Sequence, residues 1–480
     1  MSGDREPAAA GQWGGAREMN ELEATMWRAG RHPQNSTQGA IMEVFDGTPE
    51  WDDVYRLHVE GLRHYPRFRQ RVVEPAVPVG PPVWVDDPNF DLDYHLRLIR
   101  LPKPGTMRQL LDAAQRLGSV ALDLNRPPWV ATFVEGVEGG RSAYVVVVHH
   151  CLMDGYGSVQ LLSDLHGRTA PPTAAGDSAE TESVGPDDPL RVAADHSVAR
   201  LRSVPRLAGK IASGVFGALR GGPIGSAKSA ASAARFAASA GRVLAPPRGT
   251  GSELLKDGSR AQWRYDVLDC SLAELKAAGK SAGGTINDAY VAGIIGGLRI
   301  YHEKHGADVG DITINMPVSL RRPDDPQGGN RFVTAFIKAP SSVADPAERI
   351  TALRQRVTKA GEEPALDVFS LLLPVVNLAP SAVLSPLFSS MQNRTDLTIS
   401  NVPGMTSAVK FGGSVVENVY YFAPLPGCHI TTVMFSYNGV CNIGINGDKE
   451  VFGDNEELLA CLRAGMDEVL DLRHRAGQES

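Results

Sequence analysis

The alternation of apolar and polar positions predicts a chain that mixes helices and strands throughout. Apolar residues recur at helical spacing in segments 51–65, 107–117, 285–301, 345–360 and 456–474. Short stretches rich in β-branched residues predict strands at 129–135, 143–150, 311–318 and 397–400. Asn438 and Gly439 separate two further strand-like runs and suit the tight turn of a β-hairpin. Both halves therefore contain both kinds of element, which predicts two mixed α/β domains packed together.

Composition divides the chain into four segments. Residues 1–18 are rich in Gly and Ala without the apolar stretch of a secretory signal, so we expect a disordered leader. We expect an N-terminal half at 19–166, a linker and basic crossover at 167–250, and a C-terminal half at 251–480. Segment 190–242 has nine basic residues and one acidic residue. It is either an amphipathic surface that contacts anionic lipid or a solvated connection between the halves.

Overall charge and cysteine content narrow the class of protein. The formal net charge of -7 does not suggest a nucleic acid partner. The five cysteines form no C-x-x-C pair, which favours a reduced, cytoplasmic compartment. Segment 365–391 is apolar, but Pro374, Pro380 and Pro386 interrupt it, so we expect helical pieces that line a core or touch a membrane surface rather than span it.

Residues 144–155 carry the clearest candidate chemistry. A Val-rich strand ends in His149 and His150, and Asp154-Gly155 follows. Neighbouring strand residues point to opposite faces, so only one histidine can face a given cavity. That imidazole is suited to act as a base near neutral pH. A hydrogen-bonded pair in the core is the alternative. Because adjacent strand histidines diverge, and His302 and His305 lack an obvious third ligand, we predict no metal site.

The pattern H-H-x-x-x-D-G resembles the signature of the acyltransferase superfamily that includes chloramphenicol acetyltransferase, peptide-synthetase condensation domains and wax ester synthase/diacylglycerol acyltransferases. Further segments resemble the bacterial wax ester synthase/diacylglycerol acyltransferase family, in matching order from about residue 20 to 470. They are Arg126-Pro127-Pro128-Trp129 (with Pro128 where the family has Leu), Asn287-Asp288, Met316-Pro317-Val318-Ser319-Leu320-Arg321, Gly329-Asn330-Arg331 and Ser400-Asn401-Val402-Pro403-Gly404.

The resemblance implies two chloramphenicol-acetyltransferase-like mixed-sheet domains with the active site at their interface. In it, the second histidine, His150, is the general base beside His149, and Asp154 holds the turn through a buried ion pair. Arg69 is the expected partner of Asp154, by similarity to a condensation-domain arginine. We expect Gly155 to allow close backbone approach or a positive φ. Amides near Gly155 and Gly157, or the Asn287 side chain, are the expected oxyanion donors. Trp129, Pro128, Ser400 and Asn401 are the expected substrate-binding residues.

The same resemblance implies transfer of a long acyl chain from acyl-CoA, as co-substrate and without a cofactor. The acceptor is the hydroxyl of diacylglycerol or of a long-chain alcohol. We expect a peripheral enzyme at the inner membrane face or at lipid droplets, with no prediction of oligomeric state. Two alternatives stay open: condensation-type transfer from a carrier-protein thioester, and a non-catalytic lipid-binding relative.

Two rival nucleophiles are disfavoured. Gly279-Lys280-Ser281-Ala282-Gly283 fits G-x-S-x-G, but it follows a helix-like stretch where that motif needs a strand. Cys151 lies in the turn after the histidines, where a small apolar filler is expected.

Overall fold

The computed structural model describes residues 16–31, 36–77, 80–166, 189–194, 252–255, 258–319, 330, 332–361, 373, 377, 395–425, 427–453 and 455–473. Most of the predicted leader, of the linker with its basic segment, and of segment 365–391 lies outside these residues. No helix in the described part of the chain is both long enough and apolar enough to cross a membrane.

Helices occur where periodic apolar positions predicted them, with ends that shift by a few residues. They include α1 (Glu21–Ala29), α2 (Trp51–His64), α3 (Leu92–His95), α4 (Met107–Ser119), α5 (Gly155–His166), α6 (Leu272–Ser281), α7 (Ile286–Lys304), α8 (Pro346–Gly361), α9 (Lys449–Phe452) and α10 (Glu456–Leu470), with short 3-10 turns at Pro66–Arg69, Glu138–Gly140 and Glu253–Leu255. Capping boxes start α1, α4 and α7, in which Asn20, Thr106 and Thr285 accept from the third helical residue.

Most of the strands belong to two six-stranded sheets. Their bounds are β1 (Gln38–Phe45), β2 (Gln70–Val73), β3 (Val83–Asp86), β4 (Leu96–Arg100), β5 (Trp129–Val137), β6 (Arg141–His149), β7 (Trp263–Ser271), β8 (Ile312–Ser319), β9 (Phe332–Ala339), β10 (Leu397–Val402), β11 (Lys410–Phe411), β12 (Ser414–Phe422), β13 (Ile430–Tyr437) and β14 (Val440–Asp448). The first sheet has the order β11-β12-β1-β6-β5-β4, and the second β7-β14-β13-β10-β8-β9. Strands β2 and β3 pair separately.

One hairpin crosses between the halves. Strand β12 comes from the C-terminal segment, yet it pairs antiparallel with β1 and so completes the first sheet, with Ala40 opposite Phe422. Both large sheets are mixed, since β4 runs parallel to β5 and β10 runs parallel to β8 and β13. The halves are therefore tied by backbone hydrogen bonds as well as by side-chain packing.

The core has three main layers. Helices α6, α7 and α10 cover one face of the second sheet, where Gly293, Gly297 and Gly465 let α7 and α10 approach closely. Helix α4 covers the outer face of the first sheet. The third layer is an apolar cluster between the two sheets. In it Ile41 and Val148 of the first sheet pack with Val402 and Val433 of the second. This arrangement places a cavity between the halves at the end of β6.

Candidate functional site

His150 lies one residue beyond the end of β6 and faces the cavity between the two sheets. Its backbone N–H donates to the carbonyl of Thr37 at 2.9 Å, which extends the pairing of β1 and β6. Its ring packs edge-on against Phe332, with 5.7 Å between the ring centroids. The imidazole therefore has contacts from both halves.

Asn330 fixes the orientation of the His150 ring. The Asn330 amide nitrogen donates to the His150 carbonyl at 2.8 Å, and the amide oxygen lies 3.0 Å from His150 Nδ1. Because a backbone carbonyl only accepts, the amide must present its oxygen to Nδ1, and Nδ1 must carry the proton. Nε2 then bears the free lone pair of the neutral ring, which is the state that a general base requires.

The first turn of α1 holds Asn330 in place. Glu23 Oε1 accepts from the Asn330 backbone N–H at 2.9 Å, and the Asn20 side chain donates to the Asn330 carbonyl at 3.1 Å. Glu23 and Asn20 are also the two members of the α1 capping box. Burial raises the pKa of Glu23 to about 7, against the opposing effect of these backbone hydrogen bonds and of Arg67.

His149 points away from this cavity, as strand alternation requires. The Cys151 N–H donates to its Nδ1 at 3.2 Å, so its Nε2 carries the proton toward the Thr37 hydroxyl, 2.8 Å away. Its ring packs against Trp27. Burial lowers the pKa of His149 to about 3. This histidine is a neutral core residue in the structure, and its predicted part in catalysis stays a prediction.

Asp154 shapes the turn that leads into α5. Its Oδ1 accepts from the Gly157 N–H at 2.7 Å, so that amide is not available as an oxyanion donor. A Cβ placed at Gly155 would lie 2.8 Å from Val402 Cγ2, which accounts for glycine by close packing, and its φ is not positive. Burial raises the pKa of the neighbouring Cys151 thiol well above its ordinary value, which fits the role of a neutral filler.

The predicted ion pair between Arg69 and Asp154 is wrong. Both residues are described, and Arg69 is exposed on the 3-10 turn whereas Asp154 is buried. The buried arginine of this turn is Arg67. It lies over the Trp84 ring, and its charge acts on Glu23. Burial lowers the pKa of Arg67 to about 10.

The site cavity has a volume of about 250 Å³ and is lined mainly by apolar side chains. Both sheets contribute to it. Its polar lining residues are Thr37, His150, Asp154, Ser158, Asn315, Thr334, Thr398 and Ser400. Asn315 is buried, and its Oδ1 has no hydrogen-bond partner among the described residues. An apolar cavity with a few convergent polar groups is typical of a small-molecule site.

The structure brings only some of the other predicted residues to this cavity. Ser400 lines it with Thr398 and Val402, but Asn401 lies on the opposite face of β10 and is not in the lining. Asn287 lies in the first turn of α7 and donates to Met316 Sδ at 3.6 Å rather than lining the cavity. Its predicted role as an oxyanion donor therefore has no geometric support.

Trp129 and Pro128 also lie away from the site cavity. The Trp129 indole N–H donates to the Phe68 carbonyl at 2.8 Å, and its ring stacks on His95. The Pro128 carbonyl accepts from the His149 N–H at 3.0 Å. Both residues thus support the strand that carries the histidines. Trp129 in addition lines a second, smaller cavity.

Sequence reasoning missed the residues that hold His150. Asn330 belongs to the Gly-Asn element of the family, to which the sequence analysis assigned no role. Asn20 and Glu23 fit the N-x-x-E spacing of a capping box, which was a readable signal for a helix start but not for contact with the site.

Two family models match the chain. The wax ester synthase/diacylglycerol acyltransferase catalytic domain matches residues 19–290, and the C-terminal domain of the same family matches residues 328–469. The chain belongs to the wax ester synthase/diacylglycerol acyltransferase family. This confirms the resemblance drawn from the motifs and makes the chain a member of a family of acyltransferases.

Relatives in Mycobacterium tuberculosis match almost the whole chain. The protein named "Putative diacyglycerol O-acyltransferase Rv2484c" of strain H37Rv is 32% identical over 467 residues, which cover 95% of this chain and 92% of the relative. Another protein of that strain, named in the same way, is 26% identical over 439 residues, which cover 88% of this chain and 89% of the relative.

Solved structures show the fold. A wax ester synthase/diacylglycerol acyltransferase from Marinobacter aquaeolei VT8 matches with a TM-score of 0.62 at 20% identity, over 96% of this chain and 100% of that chain. The first condensation domain of the CDA synthetase matches with a TM-score of 0.57 at 15% identity, over 96% and 97%. The predicted two-domain, chloramphenicol-acetyltransferase-like fold is thereby confirmed.

Proposed function

We propose that this member of the family transfers a long acyl chain from acyl-CoA to the hydroxyl of diacylglycerol, of a long-chain alcohol, or of both. The observation that carries the proposal is the His150 imidazole, which faces an apolar cavity between the two sheets with its Nδ1 proton directed at Asn330. The names of the M. tuberculosis relatives support diacylglycerol as one acceptor.

In the proposed reaction His150 Nε2 accepts the proton of the acceptor hydroxyl as that oxygen attacks the thioester carbonyl. The tetrahedral intermediate collapses with loss of the CoA thiolate, which takes the proton back from His150. A positioned base of this kind typically contributes a factor of roughly 10²–10⁴. Asn330 keeps the ring in the tautomer that makes this transfer possible.

The oxyanion needs donors on the opposite wall of the cavity. Ser400 and Asn315 lie on the second sheet and line the cavity that His150 faces. The Asn315 side chain is buried, and an amide can present its N–H₂ to a developing negative charge. We assign the oxyanion donors to these residues in place of Gly157 and Asn287.

The test is thiol release from palmitoyl-CoA with diacylglycerol, hexadecanol or no acceptor. We expect acceptor-dependent release that His150→Ala reduces by roughly 10²–10⁴. His305→Ala is the matched control, because this histidine lies at the end of α7 and is not in the cavity lining. Acceptor-dependent release should persist unchanged in it.

Two outcomes would count against the proposal. Release only from an acylated carrier protein would favour the condensation-type alternative. Absence of release with every donor, from folded protein that still binds lipid, would favour the non-catalytic relative. Peripheral attachment to a membrane or lipid droplet, in the cytoplasm, is part of the proposal and is measured by sedimentation with anionic vesicles.

A further inference from the structure

A second cavity of about 100 Å³, here called the distal cavity, adjoins the site cavity. Ile41, Met153 and Ser158 line both cavities and form the junction between them. The rest of its wall is mostly apolar and comes from α2, α5, Phe411 and the strands β5 and β6, together with Tyr65 and Phe68. The two cavities are therefore neighbours, with the side chains of Ile41, Met153 and Ser158 as their common boundary.

The cavities lie end to end along one face of the β1/β6 pair. On β6 and the turn that follows it, His150 and Val148 line the site cavity, whereas Val146 and Tyr144 line the distal cavity. These four residues alternate, so they share one face of the strand. On β1 the partners follow the same order: Gly39 opposite Val148, Ile41 opposite Val146, and Glu43 opposite Tyr144.

The length of this face of the β1/β6 pair determines how long an aliphatic chain must be to extend from His150 to Glu43. Tyr144 is six positions before His150, and a strand advances about 3.3 Å per residue, so the face is about 20 Å long. A carbon–carbon bond of about 1.5 Å advances an extended chain by roughly 1.3 Å. An aliphatic chain with its reacting end at His150 would reach Glu43 after about 16 carbon atoms.

The far end of the distal cavity is polar, unlike its walls. Glu43 is 1% exposed and pairs through Oε2 with His166 Nε2 at 3.0 Å. Burial opposes protonation of His166, but Glu43 and the Leu162 carbonyl outweigh it and raise the pKa of this histidine. Beside them the Tyr144 hydroxyl donates to His58 Nε2, because His58 Nδ1 donates to the Val54 carbonyl.

The other carboxylate oxygen of Glu43, Oε1, takes no part in these hydrogen bonds. It is buried and has no hydrogen-bond partner in the part of the chain that the structure describes. A carboxylate oxygen accepts only, so its missing partner must be a donor. The charge of Glu43 is already balanced by His166, which favours a neutral donor such as a hydroxyl over an ammonium group. A site built around a hydrogen bond discriminates strongly against ligands that lack it.

We propose that the distal cavity binds the far end of a long aliphatic chain, and that Glu43 selects a chain which carries a hydroxyl near carbon 16. This rests on the proposed function, in which the other end of the chain reacts at His150. The chain is either the acyl group of the donor or the alcohol acceptor, and in both cases it passes the boundary side chains Ile41, Met153 and Ser158 on its way to Glu43.

The first experiment measures equilibrium binding of hexadecanoic acid and 16-hydroxyhexadecanoic acid to the full-length protein. We expect the hydroxylated acid to bind at least about tenfold tighter, since a hydrogen bond to a charged group is among the stronger ones. Glu43→Leu should reduce this ratio to about one, and Glu43→Gln, which keeps an acceptor oxygen, should retain part of it. The ratio within one variant does not depend on the fraction of protein that is folded.

Two controls sharpen the test. Glu60→Leu removes a glutamate from a half-buried glutamate–histidine pair with His64 on α2, outside the distal cavity, and should leave the ratio unchanged. Dodecanoic and 12-hydroxydodecanoic acids should bind equally, because the shorter chain does not reach Glu43. A wild-type ratio near one for the longer acids, or an unchanged ratio in Glu43→Leu, would overturn the proposal.

Thiol-release assays then identify the substrate that occupies the cavity. One arm compares palmitoyl-CoA with 16-hydroxyhexadecanoyl-CoA as donor, and the other compares hexadecanol with hexadecane-1,16-diol as acceptor. The preferred arm should show the tenfold selectivity that Glu43→Leu removes. Failure of every acyl transfer would refute the proposed function, whereas the binding ratio would still decide the role of Glu43.

Discussion

The substitution Asn330→Ala tests how much the fixed orientation of the His150 ring contributes to catalysis. The substitution removes both hydrogen bonds between the amide and His150, at 2.8 Å to the carbonyl and 3.0 Å to Nδ1. The backbone of residue 330 can still bond to Glu23 and Asn20, because those contacts use only its N–H and carbonyl. The variant therefore frees the imidazole to rotate and to change tautomer without removing it.

The expected loss follows from the two hydrogen bonds. Each contributes about 0.5–1.5 kcal/mol, so together they are worth about 1–3 kcal/mol. At about 1.4 kcal/mol for each factor of ten, kcat/KM should fall by roughly five- to 150-fold if both act in the transition state. The loss should stay below the roughly 10²–10⁴ of His150→Ala, since a misoriented base still retains some activity.

A double-mutant cycle tests the reasoning. Thiol release from palmitoyl-CoA is measured for His150→Ala, Asn330→Ala and the double variant. If Asn330 acts through His150, the double variant should be no slower than His150→Ala alone. Asn125→Ala, which removes an amide from a surface turn, is the control for loss of an asparagine. Multiplicative losses in the cycle would refute a positioning role for Asn330.

Three further predictions concern groups around the site, and all are measured as free energies of unfolding in urea. Unfolded Glu23 ionises near pH 4.5 and folded Glu23 near 7, so stability falls as pH rises between these values, by up to about 3 kcal/mol. Between pH 5 and 8 the free energy of unfolding should fall less in Glu23→Gln than in the wild type. The same fall in both proteins would contradict this. For His149 the pH dependence of stability is reversed. Its pKa in the folded protein is about 3, below the ordinary 6.5, so its contribution to the free energy of unfolding is fully present above pH 6.5 and is lost as the pH falls toward 3. His149→Asn should therefore lose less stability than the wild type from pH 7 to 4; a steeper loss would count against a neutral, buried ring. Gly155→Ala should cost about 1–3 kcal/mol through its clash with Val402, and Val402→Ala in the same chain should recover most of it, whereas additive costs would exclude that contact as the cause.

The sequence predicted elements whose signals are local. The apolar periodicity of α2, α7 and α10 and the Asn438-Gly439 turn each lie within one segment of the chain, and the structure has all four. Strand β12 was not predicted. Its identity depends on pairing with β1, which lies about 370 residues earlier, and no local pattern encodes that pairing.

The error at Arg69 has a geometric origin. The segment Pro66–Arg69 has arginines at 67 and 69, and either can face inward until the phase of the turn is known. In a 3-10 helix with three residues per turn, positions two apart point in different directions, so the two arginines face different surroundings. The structure buries Arg67, toward Glu23 and Trp84, and exposes Arg69.

His150 was found because its motif is contiguous, whereas the residue that orients it is 180 positions away. The first turn of α1 joins the two, since the capping pair Asn20 and Glu23 that starts this helix also holds the backbone of Asn330. A capping box ordinarily satisfies the free N–H groups of its own helix. Here the Glu23 carboxylate does more than cap α1. Its Oε2 accepts from the Asn20 N–H, and its Oε1 accepts from the N–H of Asn330, which orients His150. The burial that raises the pKa of Glu23 is therefore the cost of joining the start of α1, Asn330 and His150 in one hydrogen-bonded unit.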